Sequence, residues 1–194
     1  MATLSIVATP IGNLEDISAR ALRTLREVDL ILCEDTRVTK KLLTHYGIKT
    51  PTLSYHEHSG GAKYEKIIAL LAEDKDLALV TDAGTPGVSD PGAALVRVVR
   101  ERLPDARIEA IPGPSALAAA LSIAGIADSA FTFYGFLPHK KGRETLLREI
   151  ANAERLSVFF ESPHRLAKTL QSLEKLAPER RITIVREISK MFED

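Results

Sequence analysis

Apolar runs of strand length alternate with amphipathic stretches along this chain, from its first residues onward. TLSIVAT (3–9) is long and apolar enough for a buried strand. SARALRTLREV (18–28) then sets Ala21, Leu22, Leu25 and Val28 on one stripe at helical spacing. The pair of signals repeats as LILCE (30–34) with TRVTKKLLTHYG (36–47), TLSYH (52–56) with AKYEKIIALLAED (62–74), and LALVT (77–81) with a helix from Gly92 to about Leu103. RIEAI (107–111) closes the series. Because the strands are continuous V/I/L runs rather than alternating ones, they predict an α/β fold with helices over both faces of a parallel sheet.

IPGPSALAAALSIAG (111–125) predicts a junction: Pro112 and Pro114 end the strand, and Ser115 is placed to cap the Ala/Leu helix that follows. The alternation then restarts with FTFYGF (131–136), a helix from about Gly142 to Ala153, LSVFFE (156–161), a helix at 164–176, and a strand RITIVRE (181–187). This reads as two α/β domains, 1–112 and 113–194. A sheet that stops just after a strand leaves a long unpaired edge, which folded proteins avoid, so a shortened form of a longer protein is expected.

Composition narrows the partners. With 26 Lys+Arg against 26 Asp+Glu, the formal net charge is zero, which disfavours nucleic-acid binding by bulk electrostatics and leaves room only for a local basic patch. No apolar run approaches the ~18 residues of a membrane span, and MATLSIVATPIG lacks the basic start of a signal peptide. The single cysteine, Cys33, makes no internal disulfide, so the expected compartment is the cytoplasm.

Ligands of open α/β sheets sit beyond the carboxyl ends of the strands. Three loops expected there are rich in glycine and proline: ATPIGN (8–13), TDAGTPGVSDPG (81–92) and IPGPSA (111–116). One such loop is an ordinary crossover turn; three on one edge favour a binding cleft. Neither a dinucleotide fingerprint nor a P-loop is present, and these loops lack lysine and arginine. A small, nearly neutral or zwitterionic ligand with an adenosine-like plane fits them better than a polyphosphate.

Other polar residues carry weaker signals. His56 and His58 lack a third metal ligand nearby. Ser162-Pro163 is the usual start of a helix rather than a nucleophile, with His164 in the first turn at the surface. CEDTR (33–37) reads equally as a helix cap at Asp35 or Thr36 and as a carboxylate/guanidinium group facing a cleft, able to accept a proton. LPHKKGRE (137–144) gathers His139, Lys140, Lys141 and Arg143; it is either a solvated face or the place where a phosphate backbone docks.

Taken together, TPIGNLEDIS (9–18), CEDTRVTKKLL (33–43), TDAGTPGVSDPG (81–92), IPGPSA (111–116), FYGFLP (133–138), FFESPHRL (159–166) and VREISKMFE (185–193) resemble, in order, the ribosomal RNA small subunit methyltransferase I family of the tetrapyrrole-methylase-like superfamily. The resemblance implies two α/β domains of the tetrapyrrole-methylase type with a ligand cleft between them, S-adenosylmethionine as methyl donor, no metal, and a homodimer. It implies 2′-O-methylation of a cytidine in the decoding region of small-subunit (16S) ribosomal RNA; because the chain carries no net charge, that RNA is expected to be read by shape in the assembled particle. Carried onto this chain, the donor site takes Pro10, Ala83, Gly84, Thr85, Val88, Ser115, Ala116 and Phe160. For proton acceptance the candidates are Asp35 and Glu34, with Arg37 orienting them or contacting phosphate, Glu187 as second choice, and Asn13 on the substrate. Lys140, Lys141 and Arg143 are the expected phosphate contacts. Two competing activities are a tetrapyrrole C-methyltransferase, whose first loop is typically G-x-G-x-G-D-P where this chain has TPIGN (9–13), and a non-catalytic nucleotide-binding module in ribosome assembly.

Overall fold

A computed structural model describes residues 2–56 and 61–193, so His58 lies outside the described residues. The chain forms two compact units, Met1–Ala120 with Arg186–Asp194, and Leu121–Val185.

The first unit is an open parallel sheet. Strands β1 (Thr3–Val7), β2 (Leu30–Cys33), β3 (Thr52–Ser54), β4 (Leu77–Val80) and β5 (Arg107–Ile111) lie in the order β3-β2-β4-β1-β5. Alternate residues of each strand face opposite cores. On one side Val7, Ile31, Ala78 and Val80 pack against Ala21 and Leu25 of α1 (Ala19–Glu27) and Leu43 of α2 (Thr36–His45). On the other, Leu4, Leu32, Leu77 and Leu79 pack against Ile67 and Leu71 of α3 (Gly61–Ala72) and Leu95 and Val99 of α4 (Gly92–Arg102). All four residues of β4 are buried, which is why its sequence is apolar throughout. Each such side chain contributes roughly 1.5–3 kcal/mol relative to exposure.

The expected strands and helices of this unit form at the predicted places. One further turn, the 3₁₀ segment Leu14–Asp16, is capped by Asn13, whose side chain accepts from the Glu15 N–H. The unit reaches past residue 112 because the following loop is fastened to it. The Thr85 hydroxyl donates to the Pro114 carbonyl (3.0 Å), and Gly113 sits where a Cβ would lie 3.1 Å from that of Ala8. Helix α5 (Ala116–Ile123) follows and runs across the boundary between the units.

The second unit pairs β6 (Phe131–Phe136) in parallel with β7 (Leu156–Phe160). Helices α6 (Arg143–Asn152) and α7 (Pro163–Leu176) bring Leu147, Ile150 and Leu173 together with Leu137 as its core. Ser162 is the N-cap residue of α7, with Pro163 in the first turn and His164 exposed.

RITIVRE (181–187) forms no strand, in contrast to the sequence expectation. An extended segment becomes a strand only by sharing backbone hydrogen bonds with a neighbour; no described strand pairs with it, and Ile182 and Ile184 stay 47% exposed. From Arg186 the chain rejoins the first unit instead.

Candidate functional site

Parallel strands bring all their carboxyl ends to one edge, and the strand order makes β2, β4, β1 and β5 successive neighbours there. The loops leaving them therefore lie side by side, and they interlock. Thr9 and Gly84 exchange backbone hydrogen bonds (2.9 and 3.0 Å) in an isolated antiparallel bridge. The Thr9 hydroxyl donates to the Thr81 carbonyl at 3.2 Å. With Thr85 held on Pro114, the loops after β1, β4 and β5 form one connected rim.

Within TDAGTPGVSDPG the glycines do distinct work. Gly84 and Gly87 take φ of 85° and 89°, in the left-handed region where a side chain would be strained. The Asp90 carboxylate then closes the loop by accepting from the N–H groups of Gly87 (2.7 Å) and Gly92 (2.8 Å). A Cβ at Gly92 would lie 2.8 Å from the Gly87 nitrogen and 2.9 Å from Asp90 Oδ1, so an alanine there would break this closure.

The predicted donor residues of the first unit collect on this rim. Pro10 is buried beside the Thr9–Gly84 bridge, Ala83 is exposed, Thr85 and Val88 are half-buried, and Ser115 and Ala116 open α5. Phe160 belongs to the second unit, where its ring meets those of Phe133 (5.0 Å between centroids) and Phe136 (5.2 Å).

The CEDTR cluster divides. Asp35 is the N-cap residue of α2 and accepts from the Arg37 N–H at 2.8 Å and from its guanidinium at 2.6–3.1 Å. Hydrogen bonds from Arg37 lower its carboxyl to about 2, making it a weak proton acceptor with its lone pairs already engaged. The cap reading of Asp35 is what the structure shows, and Arg37, 87% exposed at the side chain, is the partner that holds it.

Glu34 behaves in the opposite way. It lines a small cavity of about 10 Å³, room for about one water, with Tyr55, Thr81, Pro86, Asp90 and Gly92. Burial raises its carboxyl above the ordinary glutamate range, and the nearby charges of Asp82 and Asp90 push the same way. The Thr81 hydroxyl, 3.5 Å away, opposes this weakly. Asp82 also accepts from the Asp35 N–H at 3.1 Å, so one acidic residue fixes the turn that aims Glu34.

The basic cluster divides too. His139, Lys140 and Lys141 are exposed. Arg143, predicted to contact phosphate, is not free to do so. Its side chain is 13% exposed and pairs with Glu161 at 2.7 Å, and it donates to the Pro138 carbonyl and the Thr169 hydroxyl. Arg165 takes the other Glu161 oxygen at 2.6 Å. Burial alone would raise the Glu161 carboxyl, but hydrogen bonds from Arg143, Thr169 and the Ser162 N–H outweigh it and hold the group below its usual range. FFESPHRL is thus largely a structural ion triad.

Sequence reasoning missed the loop-closing role of Asp90, although Asp-Pro-Gly before a helix is a turn signal that points to it. It also missed the neighbourhood of Asp82 and Tyr55, which depends on β2 lying between β4 and β3. Among the described residues no group of three or more His, Cys, Asp or Glu is arranged to hold a metal ion, and no helix is long and apolar enough to cross a membrane.

Known proteins agree with this architecture. The family model for Tetrapyrrole (Corrin/Porphyrin) Methylases matches residues 3–194. The chain is 48% identical over 195 residues to ribosomal RNA small subunit methyltransferase I of Thermotoga maritima, covering 100% of this chain and 86% of that protein. It is 48% identical to the protein of the same name from Xylella fastidiosa over 193 residues, covering 98% and 70%. Among solved structures, uroporphyrin III C-methyl transferase from Thermus thermophilus superposes with a TM-score of 0.67 at 18% identity, covering 99% of this chain and 86% of that one. The methyltransferase CobJ gives 0.69 at 20% identity, covering 100% and 83%. The chain belongs to the tetrapyrrole methylase superfamily and, within it, to the ribosomal RNA small subunit methyltransferase I family.

Proposed function

We propose that this protein transfers a methyl group from S-adenosylmethionine to small-subunit ribosomal RNA, at the 2′-hydroxyl of a cytidine in the decoding region. The observation that carries the reading is the 48% identity, across the whole chain, to a protein named for small-subunit ribosomal RNA methylation. The tetrapyrrole enzymes share the fold at 18–20% identity, too distant to carry their substrate across. The first loop also favours RNA, since it reads TPIGN where tetrapyrrole enzymes typically have G-x-G-x-G-D-P.

The interlocked rim suits the donor. Ala83 is exposed on a loop whose shape is set in advance by the Thr9–Gly84 bridge and the Asp90 closure, so little ordering accompanies binding. The N–H groups at the start of α5, by Ser115 and Ala116, suit the donor's carboxylate. The sulfonium supplies an activated methyl group, so the protein's task is to align the acceptor oxygen in line and take up its proton. Glu34 is the group for that proton: its raised affinity leaves it closer to neutral working conditions than Asp35, and it faces a pocket rather than a salt bridge. We assign Asn13, exposed at the end of the first loop, to contact with the RNA.

Thermal unfolding with the donor tests the first half of this reading. A ligand at 100 times its dissociation constant adds about 2.7 kcal/mol, so a clear rise in unfolding temperature with S-adenosylmethionine is expected. Incorporation of a labelled methyl group into small ribosomal subunits, against a tetrapyrrole as competing acceptor, tests the second. Binding without transfer to either acceptor would point to a non-catalytic module instead.

A further inference from the structure

Residues 186–193 rejoin the first unit and press on the loop that follows β1. A Cβ built on Gly12 would lie 2.4 Å from Lys190 Cγ, 3.2 Å from Lys190 Cε and 3.0 Å from the Ile188 carbonyl oxygen. Only glycine at position 12 lets this turn close so far. The turn is held at other points as well. The Lys190 N–H donates to the Glu187 carbonyl (2.9 Å), the Ser189 N–H donates to the Glu193 carboxylate (2.7 Å), and the Ser189 hydroxyl donates to the Asp16 carboxylate. Two non-glycine residues, Glu187 and Ser189, take φ of 54° and 69°. Such backbone costs on the order of 1–3 kcal/mol per residue and persists only where the surroundings impose it.

What this turn presents is Lys190. Its stem is pinned on Gly12, and its ammonium stands 3.2 Å from the Glu187 carboxylate, with the two side chains 45% and 34% exposed. We infer that Lys190 contacts a phosphate of the acceptor RNA beside the loop 8–13, exchanging Glu187 for the phosphate when RNA binds; this rests on the RNA reading above. Three observations favour it. An exposed ion pair contributes little, so a phosphate replaces the carboxylate at small cost. The pinned stem has already lost much of the rotamer freedom that ordering a lysine normally removes. And none of the three rim loops contains a lysine or arginine, while Asp82 and Asp90 add negative charge to the loop after β4. A polyanion approaching there needs a fixed cation from elsewhere in the chain, and this turn supplies one.

Lys190→Met keeps the stem over Gly12 and removes the charge. Affinity for small ribosomal subunits across a salt series, affinity for S-adenosylmethionine, and unfolding temperature are compared for wild type, Lys190→Met and Lys190→Arg. The methionine variant is expected to bind the particle about tenfold more weakly. The slope of log affinity against log salt is expected to fall by about 0.7–0.9. Donor affinity and unfolding temperature stay unchanged, and arginine restores most of the binding. Gly12→Ala, which displaces the turn while keeping the ammonium, should weaken particle binding in the same direction. Wild-type particle affinity and slope in Lys190→Met would overturn the inference, as would weakened donor binding with particle binding intact, which would assign the lysine to the donor's carboxylate. A wild-type protein that neither binds nor methylates the particle would overturn the RNA reading and this inference together, whereas an active wild type matched by Lys190→Met overturns this inference alone.

Discussion

Glu34→Gln is expected to slow methyl transfer by about 10²–10⁴-fold, the usual contribution of a positioned general base, while leaving the protein more stable at neutral pH. The two effects share one cause. Burial and the charges of Asp82 and Asp90 raise the Glu34 carboxyl above its ordinary value, so the folded state prefers the protonated form. The stability linked to this group is therefore fully present below the ordinary carboxylate range and is lost as pH rises through the raised folded value. Glutamine mimics the protonated form at every pH. Its advantage over wild type should be visible in thermal unfolding at pH 7 and should vanish at about pH 4. The wild-type rate should fall on the acid side at a higher pH than an ordinary glutamate would give, because the base must be ionised. Asp35→Asn should show the contrary pattern. That carboxyl already sits at about 2, so the pH dependence stays put, and the variant loses stability because the charged Arg37 contacts are weakened, while asparagine keeps the cap acceptor. A Glu34→Gln enzyme with a normal rate would remove Glu34 from the mechanism and leave positioning alone as the source of acceleration.

Much of this was legible in the sequence because single-chain patterns carry it. The continuous apolar strands and the intervening helical stripes are local signals, and all but one of the expected strands formed. The exception, RITIVRE, shows the limit: β-character is a property of a pair, and no residue within 181–187 reports whether a neighbour is present. The rim loops were visible through their glycines and prolines, yet the Thr9–Gly84 bridge that joins them depends on β1 and β4 lying side by side, which strand order decides. The same holds at Glu34 and Asp35. Adjacent in sequence and alike in chemistry, they are equal candidates by sequence; the structure separates them because one becomes a helix cap and the other turns toward a small cavity near the charges of Asp82 and Asp90. Lys190 was read only as part of a motif, since nothing local says that a chain 178 residues beyond Gly12 comes back to touch it.

Arg143→Met is expected to destabilise the protein by about 2–3 kcal/mol, the scale of charged hydrogen bonds lost inside a protein. Lys140→Ala with Lys141→Ala should leave unfolding unchanged and weaken binding to small ribosomal subunits. The sequence offered all three cations as one patch. Their surroundings assign them different tasks: Glu161, with its side chain 4% exposed, is kept ionised against its burial by hydrogen bonds from Arg143, Thr169 and the Ser162 N–H, so removing Arg143 leaves a buried carboxylate only partly compensated. At roughly 2–4 °C per kcal/mol for a chain of this size, the unfolding temperature should drop by about 4–12 °C. The exposed lysines carry no such structural duty, and on the proposal that each meets a phosphate, losing both should lower the salt slope of binding by about 1.4–1.8. For a chain with no net charge this matters more than for a basic one, because its affinity for a polyanion must come from the placement of a few cations rather than from their number. If Arg143→Met instead kept full stability and lost particle binding, the ion triad would be dispensable to the fold and the arginine would belong with the lysines after all.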